Sequence, residues 1–324
     1  MKLIRGLHNI RPRHRHCVLT IGNFDGVHLG HQAVLKRLQE HARQLQVPAA
    51  VMIFEPQPLE LFRPEQAPAR ISQWREKYEL MCKLGLDYLV CTRFSAEFSQ
   101  QPARHFIEEV LVGKLGVQHL VVGDDFRFGR NREGDFALLQ QAGAELGFSV
   151  TNTESYRQSA TRVSSTLIRE ALVRGQFVDA ATMLGHPFHF SGRVVHGEKN
   201  GRKLGFPTAN LPLRRLHSPL HGVFAVSVTD GKQHWQGVAN VGKRPTFGGE
   251  QLQLEVHLID FNGDLYGQRL RVYPEFHIRE EQRFHSLPAL KAQIAQDVAA
   301  GRNWFAHKPH LFSIQATTTD SIHE

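Results

Sequence analysis

The sequence predicts an α/β domain built on a parallel sheet, followed by a small antiparallel β-barrel with a packed helix. In the first part of the chain, short apolar strand-like segments alternate with helical segments, as in parallel sheets covered on both faces. In the second part, turn dipeptides separate consecutive strand-like segments, and one late helical segment follows them. The length of 324 residues fits two domains, since a domain takes about 150 residues.

The elements of the first domain follow from apolar periodicity. Apolar residues at i, i+3 and i+4 predict helices, and short β-rich runs predict buried strands. The predicted strands are 17–21, 51–54, 88–92 and 120–122, and the predicted helices are 31–45, 74–84 and 103–115. Because ligands of such sheets bind beyond the carboxyl ends of the strands, the segments 22–26 and 123–126 are candidate site loops.

The second domain is predicted from turn signals. Asp230-Gly231 lies between the strand-like segments 224–228 and 234–238, and Asn262-Gly263 lies between 252–259 and 268–273. Both dipeptides favour β-hairpins. A helix is predicted over 287–304, and the domain boundary within 183–191. We therefore predict domains at 1–184 and 185–310, followed by a polar tail at 311–324 that frays.

Composition limits the classes of protein that need considering. The chain has 39 Lys and Arg against 31 Asp and Glu, a net charge of +8. A basic surface attracts nucleic acid or phosphorylated small molecules, or serves solubility alone, and charge does not choose among these. No apolar run is long enough to span a membrane, and residues 1–16 lack the apolar core of a signal peptide. Three scattered cysteines predict neither a disulfide framework nor a zinc cluster, so we expect a cytoplasmic protein that binds no membrane.

The first chemical motif follows the first predicted strand. Residues 22–31 read Gly-Asn-Phe-Asp-Gly-Val-His-Leu-Gly-His. Gly30 lets phosphates approach the backbone at a helix N-terminus, and His28 and His31 can donate to a phosphate chain whose charge grows as pyrophosphate leaves. One histidine alone is more often a surface residue at a helix cap. The whole string resembles the HxGH signature of the nucleotidyltransferase superfamily, and FAD synthetases in particular.

Two later motifs extend this resemblance, which implies a Rossmann-like nucleotidyltransferase domain. Residues 123–135 resemble the second strand-end motif of the family, and 164–169 (Ser-Ser-Thr-Leu-Ile-Arg) resemble the motif that closes the site. Taken alone, the first motif also fits an Asp-rich turn, and the hydroxyl groups of the second fit ordinary helix capping. The resemblance implies catalytic His28, His31 and Arg169, ATP contacts from Gly22, Asn23, Phe24, Gly30, Ser164, Ser165 and Thr166, and FMN or ribose contacts from Asn23, Asp125, Arg127 and Arg132.

The second motif set begins after residue 191. The chain contains no GxxxxGK[ST] string, which argues against a P-loop kinase. Segment 192–205 of the chain is rich in glycine and basic residues. It fits either a flexible loop over a triphosphate or a surface hairpin loop. Residues 205–210, Gly-Phe-Pro-Thr-Ala-Asn, resemble the PTAN motif of riboflavin kinases. That resemblance implies Mg²⁺ held by Thr208 and Asn210, and ATP contacts from Gly192, Val194, Gly197, Gly201, Lys203, Gly205, Pro207 and Thr208.

A glutamate inside a later strand is the candidate base of the second domain. An isolated Glu in an apolar strand usually faces solvent, but residues 254–267 are similar to the second signature of riboflavin kinases. The resemblance implies that Glu255 activates the 5′-hydroxyl of the ribityl chain. It also implies flavin contacts from Asn240, Asp264, Tyr266 and Arg279. The string 273–276, Tyr-Pro-Glu-Phe, is less basic than its counterpart in the family.

Together the motifs cover about residues 15–305 in the family's order and identify the chain as a member of the bacterial bifunctional riboflavin kinase/FAD synthetases. That membership implies ATP, riboflavin and FMN as small-molecule partners, Mg²⁺ as cofactor, and no nucleic-acid partner. It leaves weak self-association open. Two alternatives remain: a nucleic-acid-binding protein using the HxGH site as aminoacyl-tRNA synthetases do, although no KMSKS-like loop is evident, and a flavin-binding regulator with one inactive half.

Overall fold

A computed structural model describes residues 1–307 except 124, 154–156, 159–160, 198–200, 202–203 and 247–248. The chain forms two compact units: the first comprises Met1–Pro68 and Trp74–Ser164, and the second comprises Ala69–Gln73 and the chain from Ser165 onward. The predicted domain bounds, 1–184 and 185–310, remain a prediction. The predicted tail at 311–324 lies outside the described residues.

The first unit contains a six-stranded sheet in the order β1-β4-β3-β2-β5-β6. All its strand pairs are parallel. The strands are β1 Lys2–Arg5, β2 Val18–Ile21, β3 Ala49–Glu55, β4 Tyr88–Arg93, β5 His119–Val122 and β6 Ser149–Asn152. The four predicted strands are confirmed as β2 to β5. The edge strands β1 and β6 were missed because each has four residues and buries little: Ile4 is the buried residue of β1, and no residue of β6 is buried.

The helices of the first unit confirm the three predicted ones and add short elements. The predicted helix 103–115 is an α-turn that continues as a π-helix over Phe106–Lys114, a rare geometry that periodicity does not reveal. The α-helices are α1 Leu29–Leu45, α2 Pro58–Phe62, α3 Trp74–Lys83, α4 Ala96–Ser99, α5 Ala103–His105 and α6 Phe136–Leu146, with 3₁₀ turns at Leu7–Asn9, Pro12–His14, Pro64–Gln66 and Arg130–Arg132. The two-residue strands β7 Arg157–Gln158 and β8 Thr161–Arg162 pair antiparallel.

The order of the strands places the candidate loops together. From β2 the chain continues through β3 and β4 on one side of the sheet, and through β5 and β6 on the other. The carboxyl ends of β2 and β5 therefore flank the point where the strand order reverses, which is the usual ligand site of open α/β sheets. Apolar side chains alternate between two buried clusters along the strands: Leu19 and Met52 belong to one cluster, Val18 and Val51 to the other.

The second unit is an antiparallel six-stranded sheet in the order β10-β13-β12-β11-β14-β9. A bridge between Val195 and Asn210 brings its two edges together, so the sheet is a nearly closed barrel. Its strands are β9 Phe190–Arg193, β10 Ala209–Pro212, β11 Gly222–Thr229, β12 His234–Thr246, β13 Gly249–Leu258 and β14 Arg269–Arg279, and its helices are α7 Ser165–Val173, α8 Phe177–Leu184 and α9 Leu287–His307. The predicted barrel with a late helix is confirmed.

One of the two predicted hairpins is wrong. Strands β11 and β12 pair around the turn that contains Asp230 and Gly231, as predicted. In contrast, β13 pairs with β12 and β10, and β14 pairs with β11 and β9, so the strands flanking Asn262-Gly263 do not pair with each other. A two-residue hairpin turn of that type needs positive φ at both residues, whereas the positive φ angles of this connection occur at Asp260 and Gly267.

A buried histidine links three elements of the first unit. His119 begins β5 and is 6% exposed. Its Nδ1 lies 2.6 Å from Ser149 Oγ, its Nε2 lies 3.0 Å from Thr151 Oγ1, and its ring stacks on that of His41 with centroids 4.1 Å apart. Burial, and secondarily the charge of His41, lowers the pKa of His119 from 6.5 to about 4.

This pKa predicts an acid-sensitive first unit. Between pH 6.5 and about 4, the unfolded chain binds a proton at His119 that the folded state does not, so stability falls as the pH falls. We expect hydrogen–deuterium exchange of peptides spanning 118–123 to accelerate at pH 5 relative to pH 7, after correction for intrinsic rates. His119→Gln should weaken this pH dependence, and exchange that responds to pH equally in both proteins would contradict it. His105→Gln, at an exposed site, is the matched control.

Candidate active sites

The loop after β2 has an unusual backbone. Phe24, Gly26 and Val27 adopt φ angles of +48°, +83° and +44°. Glycine tolerates such angles, whereas a non-glycine residue in this region costs about 1–3 kcal/mol and persists only where its surroundings enforce it. Phe24 and Val27 are 4% and 0% exposed, so packing supplies part of that enforcement.

Side-chain donors from two helices hold the same loop. Lys77 on α3 donates from Nζ to the carbonyl oxygen of Asn23 at 2.6 Å. Gln32 on α1 donates from Nε2 to the carbonyl oxygen of Val27 at 2.9 Å. Sequence reasoning missed Lys77. A signal was available, because Lys77 lies three residues after Trp74 and four before Met81, on the apolar stripe of the helix.

The loop ends at the two histidines of the HxGH string. His28 caps α1, and its Nδ1 accepts a hydrogen bond from the backbone N–H of His31 at 3.2 Å. An accepting Nδ1 leaves the proton of the neutral ring on Nε2. The two rings stack with centroids 3.6 Å apart and an angle of 17°. A Cβ on Gly30 would lie 3.1 Å from the His28 ring, so a side chain here would force the ring to shift by a few tenths of an ångström.

The environment keeps His31 neutral. Burial, then the nearby His28 and Lys77, hold the pKa of His31 well below its usual range. Its Nδ1 is buried with no hydrogen-bond partner among the described residues. A neutral imidazole keeps one N–H, so His31 can donate a hydrogen bond to an anion bound at this helix N-terminus.

The loop after β5 supplies exposed charged groups at the same edge of the sheet. Asp125, Arg127 and Arg132 are all exposed, whereas neighbouring Asp124 lies outside the described residues. A Cβ on Gly123 would lie 2.7 Å from Asp125 Oδ1, so this glycine lets the carboxylate fold back over the strand end. The structure thus places three of the four predicted FMN-side residues beyond the carboxyl end of β5, and the fourth, Asn23, beyond that of β2.

An aromatic cluster, Phe54, Phe62, Phe94 and Phe98, was missed by sequence reasoning. The Phe94 ring lies 5.5 Å from that of Phe54, 5.7 Å from that of Phe62 and 5.9 Å from that of Phe98, between centroids. Phe54 lies near the end of β3, and Phe94 directly follows β4. Phe62 is 53% exposed, so the cluster presents an apolar surface at the carboxyl edge of the sheet.

The predicted closing motif is divided between the two units. Ser164 ends the first unit, whereas Ser165, Thr166 and Arg169 belong to α7 of the second. Within that unit, Arg169 donates from Nε to the carbonyl oxygen of Ala69 at 2.6 Å. The structure therefore does not assemble Arg169 with His28 and His31 inside one unit.

In the second unit, strand register creates a row of functional side chains. Asn210 on β10 and Asn240 on β12 both pair with Glu255 on β13. Val223 on β11 in turn pairs with Asn240 and with Arg279 on β14. Directly paired residues of an antiparallel sheet project from the same face. Residues from five different strands thus converge on one face of the barrel.

This face opens into a cavity of about 330 Å³. Glu255 is half-buried in its wall. Helix α9 contributes four residues at the spacing i, i+4, i+7 and i+8, which places them on one face of the helix. They are Leu290, Ile294, Asp297 and Val298. Sequence reasoning did not assign this face to a site. The cavity is lined by Gly201, Leu204, Phe206, Thr208, Val223, Val238, Asn240, Glu255, His257, Arg279, Glu281, Gln282, Phe284, Leu290, Ile294, Asp297 and Val298.

An ion pair fixes the arginine of the row. Arg279 donates to both carboxylate oxygens of Asp297, from Nε at 2.9 Å and from Nη2 at 2.7 Å. Gln293 donates a further hydrogen bond to Asp297 Oδ1 at 3.0 Å. Asp297 is 3% exposed. Arg279 is therefore oriented at the cavity wall by a buried carboxylate on α9.

Two glycines of the glycine-rich segment lie close to Thr208 and Asn210. A Cβ on Gly197 would lie 2.7 Å from the Asn210 amide, and one on Gly201 would lie 3.3 Å from Thr208 Oγ1. Gly205 has a φ of +89°, and the carbonyl oxygen of Pro207 contacts His257 Nδ1. Gly192 and Val194 are buried at the barrel edge, whereas Lys203 lies outside the described residues.

Two predicted flavin residues do not line the cavity. Asp264 Oδ1 accepts the backbone N–H of Tyr266 at 2.8 Å, which stabilises the turn. The Tyr266 ring packs on that of His196 with centroids 3.9 Å apart. The structure brings Asn240 and Arg279 to the cavity but leaves Asp264 and Tyr266 in the connection before β14.

Across the residues that the structure describes, no three or more His, Cys, Asp and Glu side chains form a group suited to a metal ion. None of the helices described here has both the length and the apolar character needed to cross a membrane.

An α/β unit with an HxGH turn and a barrel with a polar row define an enzyme with two nucleotide-handling sites. The family model for FAD synthetase matches residues 10–167, and that for riboflavin kinase matches residues 184–305. The chain is 53% identical to the bifunctional riboflavin kinase/FMN adenylyltransferase of Escherichia coli strain K12, over 94% of this chain and 98% of the relative. The corresponding protein of Pseudomonas fluorescens is 52% identical, over 96% and 100%. The chain belongs to the family of bifunctional riboflavin kinase/FMN adenylyltransferases.

A solved structure resembles the whole chain. It is a crystal structure of a protein from Streptococcus pneumoniae described as a macrolide-efflux protein, with 31% identity and a TM-score of 0.75. The similarity covers 94% of this chain and 100% of that one.

The Arg279–Asp297 pair yields a stability prediction. Asp297→Asn leaves a largely buried guanidinium without its counter-charge, so we expect a loss of about 3 kcal/mol in the second unit. Urea unfolding followed by Trp235 and Trp304 fluorescence, in a Trp74→Phe background, measures this loss. Asp260→Asn is the control, because it breaks an exposed pair with Arg302 of similar geometry. Equal effects of the two changes would contradict the prediction.

Proposed function

We propose that the second unit phosphorylates riboflavin with ATP to give FMN, and that the first unit adenylylates FMN with a second ATP to give FAD and pyrophosphate. The observation that carries this proposal is that each unit has its own reaction-competent side-chain set. His28 and His31 stack at a helix N-terminus of the first unit, and Glu255 lies between Asn210 and Asn240 in the barrel. We keep the expectation that the protein works in the cytoplasm on small molecules.

In adenylyl transfer, an FMN phosphate oxygen attacks the α-phosphorus of ATP and the bond to pyrophosphate breaks. No covalent enzyme intermediate is needed, because orientation and charge stabilisation suffice. His28 and His31 donate hydrogen bonds to the phosphate chain as negative charge moves onto the leaving pyrophosphate. The N–H groups of α1 add to this field, and Asn23, Asp125, Arg127 and Arg132 contact FMN or ribose.

The aromatic cluster suits the apolar ring system of FMN. Phe62 is largely exposed, while Phe54, Phe94 and Phe98 support one another at the same edge of the sheet. Aromatic side chains favour offset or edge-on packing against another ring. We therefore propose this cluster as the surface that receives the isoalloxazine ring.

In phosphoryl transfer, the 5′-hydroxyl of riboflavin attacks the γ-phosphorus of ATP. Glu255 accepts the hydroxyl proton, because its carboxylate lies in the wall of the cavity beside Asn240. The apolar side chains of Leu290, Ile294 and Val298 on the opposite helix suit the flavin ring. Arg279, held by Asp297, supplies positive charge at the same cavity.

The donor set around Thr208 and Asn210 fits Mg²⁺ that arrives with ATP. Mg²⁺ prefers hard oxygen ligands and takes few of them from the protein when phosphates supply the rest. Thr208 offers a hydroxyl and Asn210 an amide oxygen, which accepts one hydrogen bond from Gln253 and has a second lone pair. When bound, Mg²⁺ neutralises phosphate charge.

A two-product assay tests the proposed function. The chain is incubated with riboflavin and Mg·ATP, and flavins are separated by chromatography with fluorescence detection. We expect FMN to appear first and FAD to follow. If neither product forms, the proposal is contradicted and a nucleic-acid-binding protein is favoured. If only one product forms, a regulator with one inactive half is favoured.

Replacement of His28 should separate the two reactions. His28→Ala removes one phosphate donor and the cap of α1, so we expect the reaction to stop at FMN, with a loss of adenylylation of roughly 100-fold or more. Riboflavin phosphorylation should continue at the wild-type rate, because the second unit is unchanged, and an unaltered far-UV circular dichroism spectrum is the control for folding of the first unit. Undiminished conversion of FMN to FAD would remove His28 from the mechanism.

The reciprocal change is Glu255→Gln, which keeps the shape of the side chain but removes its basicity. We expect riboflavin phosphorylation to fall roughly 100-fold or more, while conversion of supplied FMN to FAD is unchanged. Initial rates with each flavin substrate measure the two effects separately. Full kinase turnover in this variant would show that another group accepts the proton.

A further inference from the structure

Lys77 is a fully buried lysine in the first unit. It lies on α3, is 0% exposed, and is among the largest fully buried side chains of the chain. Burying an ammonium group is costly unless hydrogen bonds or charges compensate. A methionine would fill a similar volume without this cost, so the charge itself needs a reason.

Lys77 forms a hydrogen bond with the loop that follows β2. Its Nζ donates to the carbonyl oxygen of Asn23 at 2.6 Å, across 54 positions of sequence. Asn23 directly precedes Phe24, which is the first residue of this loop with a left-handed backbone conformation. Hydrogen bonds from charged donors are roughly twice as strong as neutral ones. The contact therefore fixes the loop at the point where its conformation becomes unfavourable.

The same loop leads directly to the histidines. His28 caps α1 and accepts the N–H of His31, so a shift of the loop moves both rings. The Phe24 ring also packs against that of His31, with centroids 5.0 Å apart. Small displacements of groups that contact a transition state cause large losses of rate.

We propose that Lys77 is a positioning residue of the adenylyl-transfer site, whose buried ammonium group holds the Asn23 carbonyl and with it the loop that carries His28 and His31. The inference rests on the proposed function of the first unit. Lys77 itself need not touch ATP or FMN, because it acts through the loop.

The charge of Lys77 provides a second, independent signature. His28 on the same turn and Lys77 on α3 both lower the pKa of His31, in addition to burial. Removing the Lys77 charge therefore raises the pKa of His31. Protonation would place a charge on one of two rings stacked 3.6 Å apart. The acid limb of the adenylylation profile should accordingly move to higher pH when the charge is removed.

The test compares Lys77→Met, Lys77→Arg and the control Lys83→Met, an exposed lysine on the same helix. For conversion of FMN to FAD, we expect Lys77→Met to lower kcat roughly 100-fold with a much smaller change in KM for ATP. Its acid limb should move to higher pH, whereas Lys77→Arg, which keeps the charge, should retain the wild-type limb. Lys83→Met should match the wild type throughout. Riboflavin phosphorylation, measured on the same samples, should be unchanged in all of them.

Several outcomes would overturn the proposal. Wild-type kcat in Lys77→Met would do so, and so would a lower kcat with an unmoved acid limb, which a purely structural role produces. If Lys77→Met does not fold, Lys77→Gln, which keeps a donor without charge, should show the same upward shift, and an unmoved limb there refutes the proposal. Absence of FAD formation in the wild type would instead refute the proposed function, so the two failures are distinguishable.

Discussion

The candidate site of the first unit depends on an unfavourable backbone conformation in the turn between β2 and α1. Phe24 and Val27 adopt left-handed conformations that cost free energy in isolation. The unit offsets this cost with buried packing, with the Gly22 N–H bonded to Met52 O at 3.1 Å, and with donors from Gln32 and Lys77. Because the turn is held by several elements, the stacked histidines are oriented without a bound ligand, which is what the electrostatic role that we propose for them requires.

In the barrel, strand pairing rather than an unfavourable turn positions the candidate site side chains. Antiparallel register places Asn210, Glu255 and Asn240 side by side without any unusual backbone. Helix α9 then closes the same face with an apolar stripe and with Asp297, whose carboxylate orients Arg279. A polar row thus faces an apolar wall, which suits a substrate with a flat ring system and a hydroxylated chain.

Much of this was predictable because it depends on local pattern and motif. Periodicity predicted β2 to β5 and the long helices, and the HxGH and PTAN strings pointed to both candidate sites. The hairpin at Asn262-Gly263 was wrong because strand partners are set by the whole sheet, where β13 and β14 already have two neighbours each. Lys77, Asp297 and the aromatic cluster were missed for a similar reason, since each acts through contacts distant in sequence. Asp264 and Tyr266 matched a motif yet lie apart from the cavity.

Two separate nucleotide sites in one chain, one at a helix N-terminus and one on a barrel face, can be counted without requiring catalysis. The measurement is equilibrium dialysis with a radiolabelled, non-hydrolysable ATP analogue and Mg²⁺. We expect saturation at two nucleotides per chain. Saturation at one nucleotide per chain, at concentrations well above those at which both flavin products form, would contradict it.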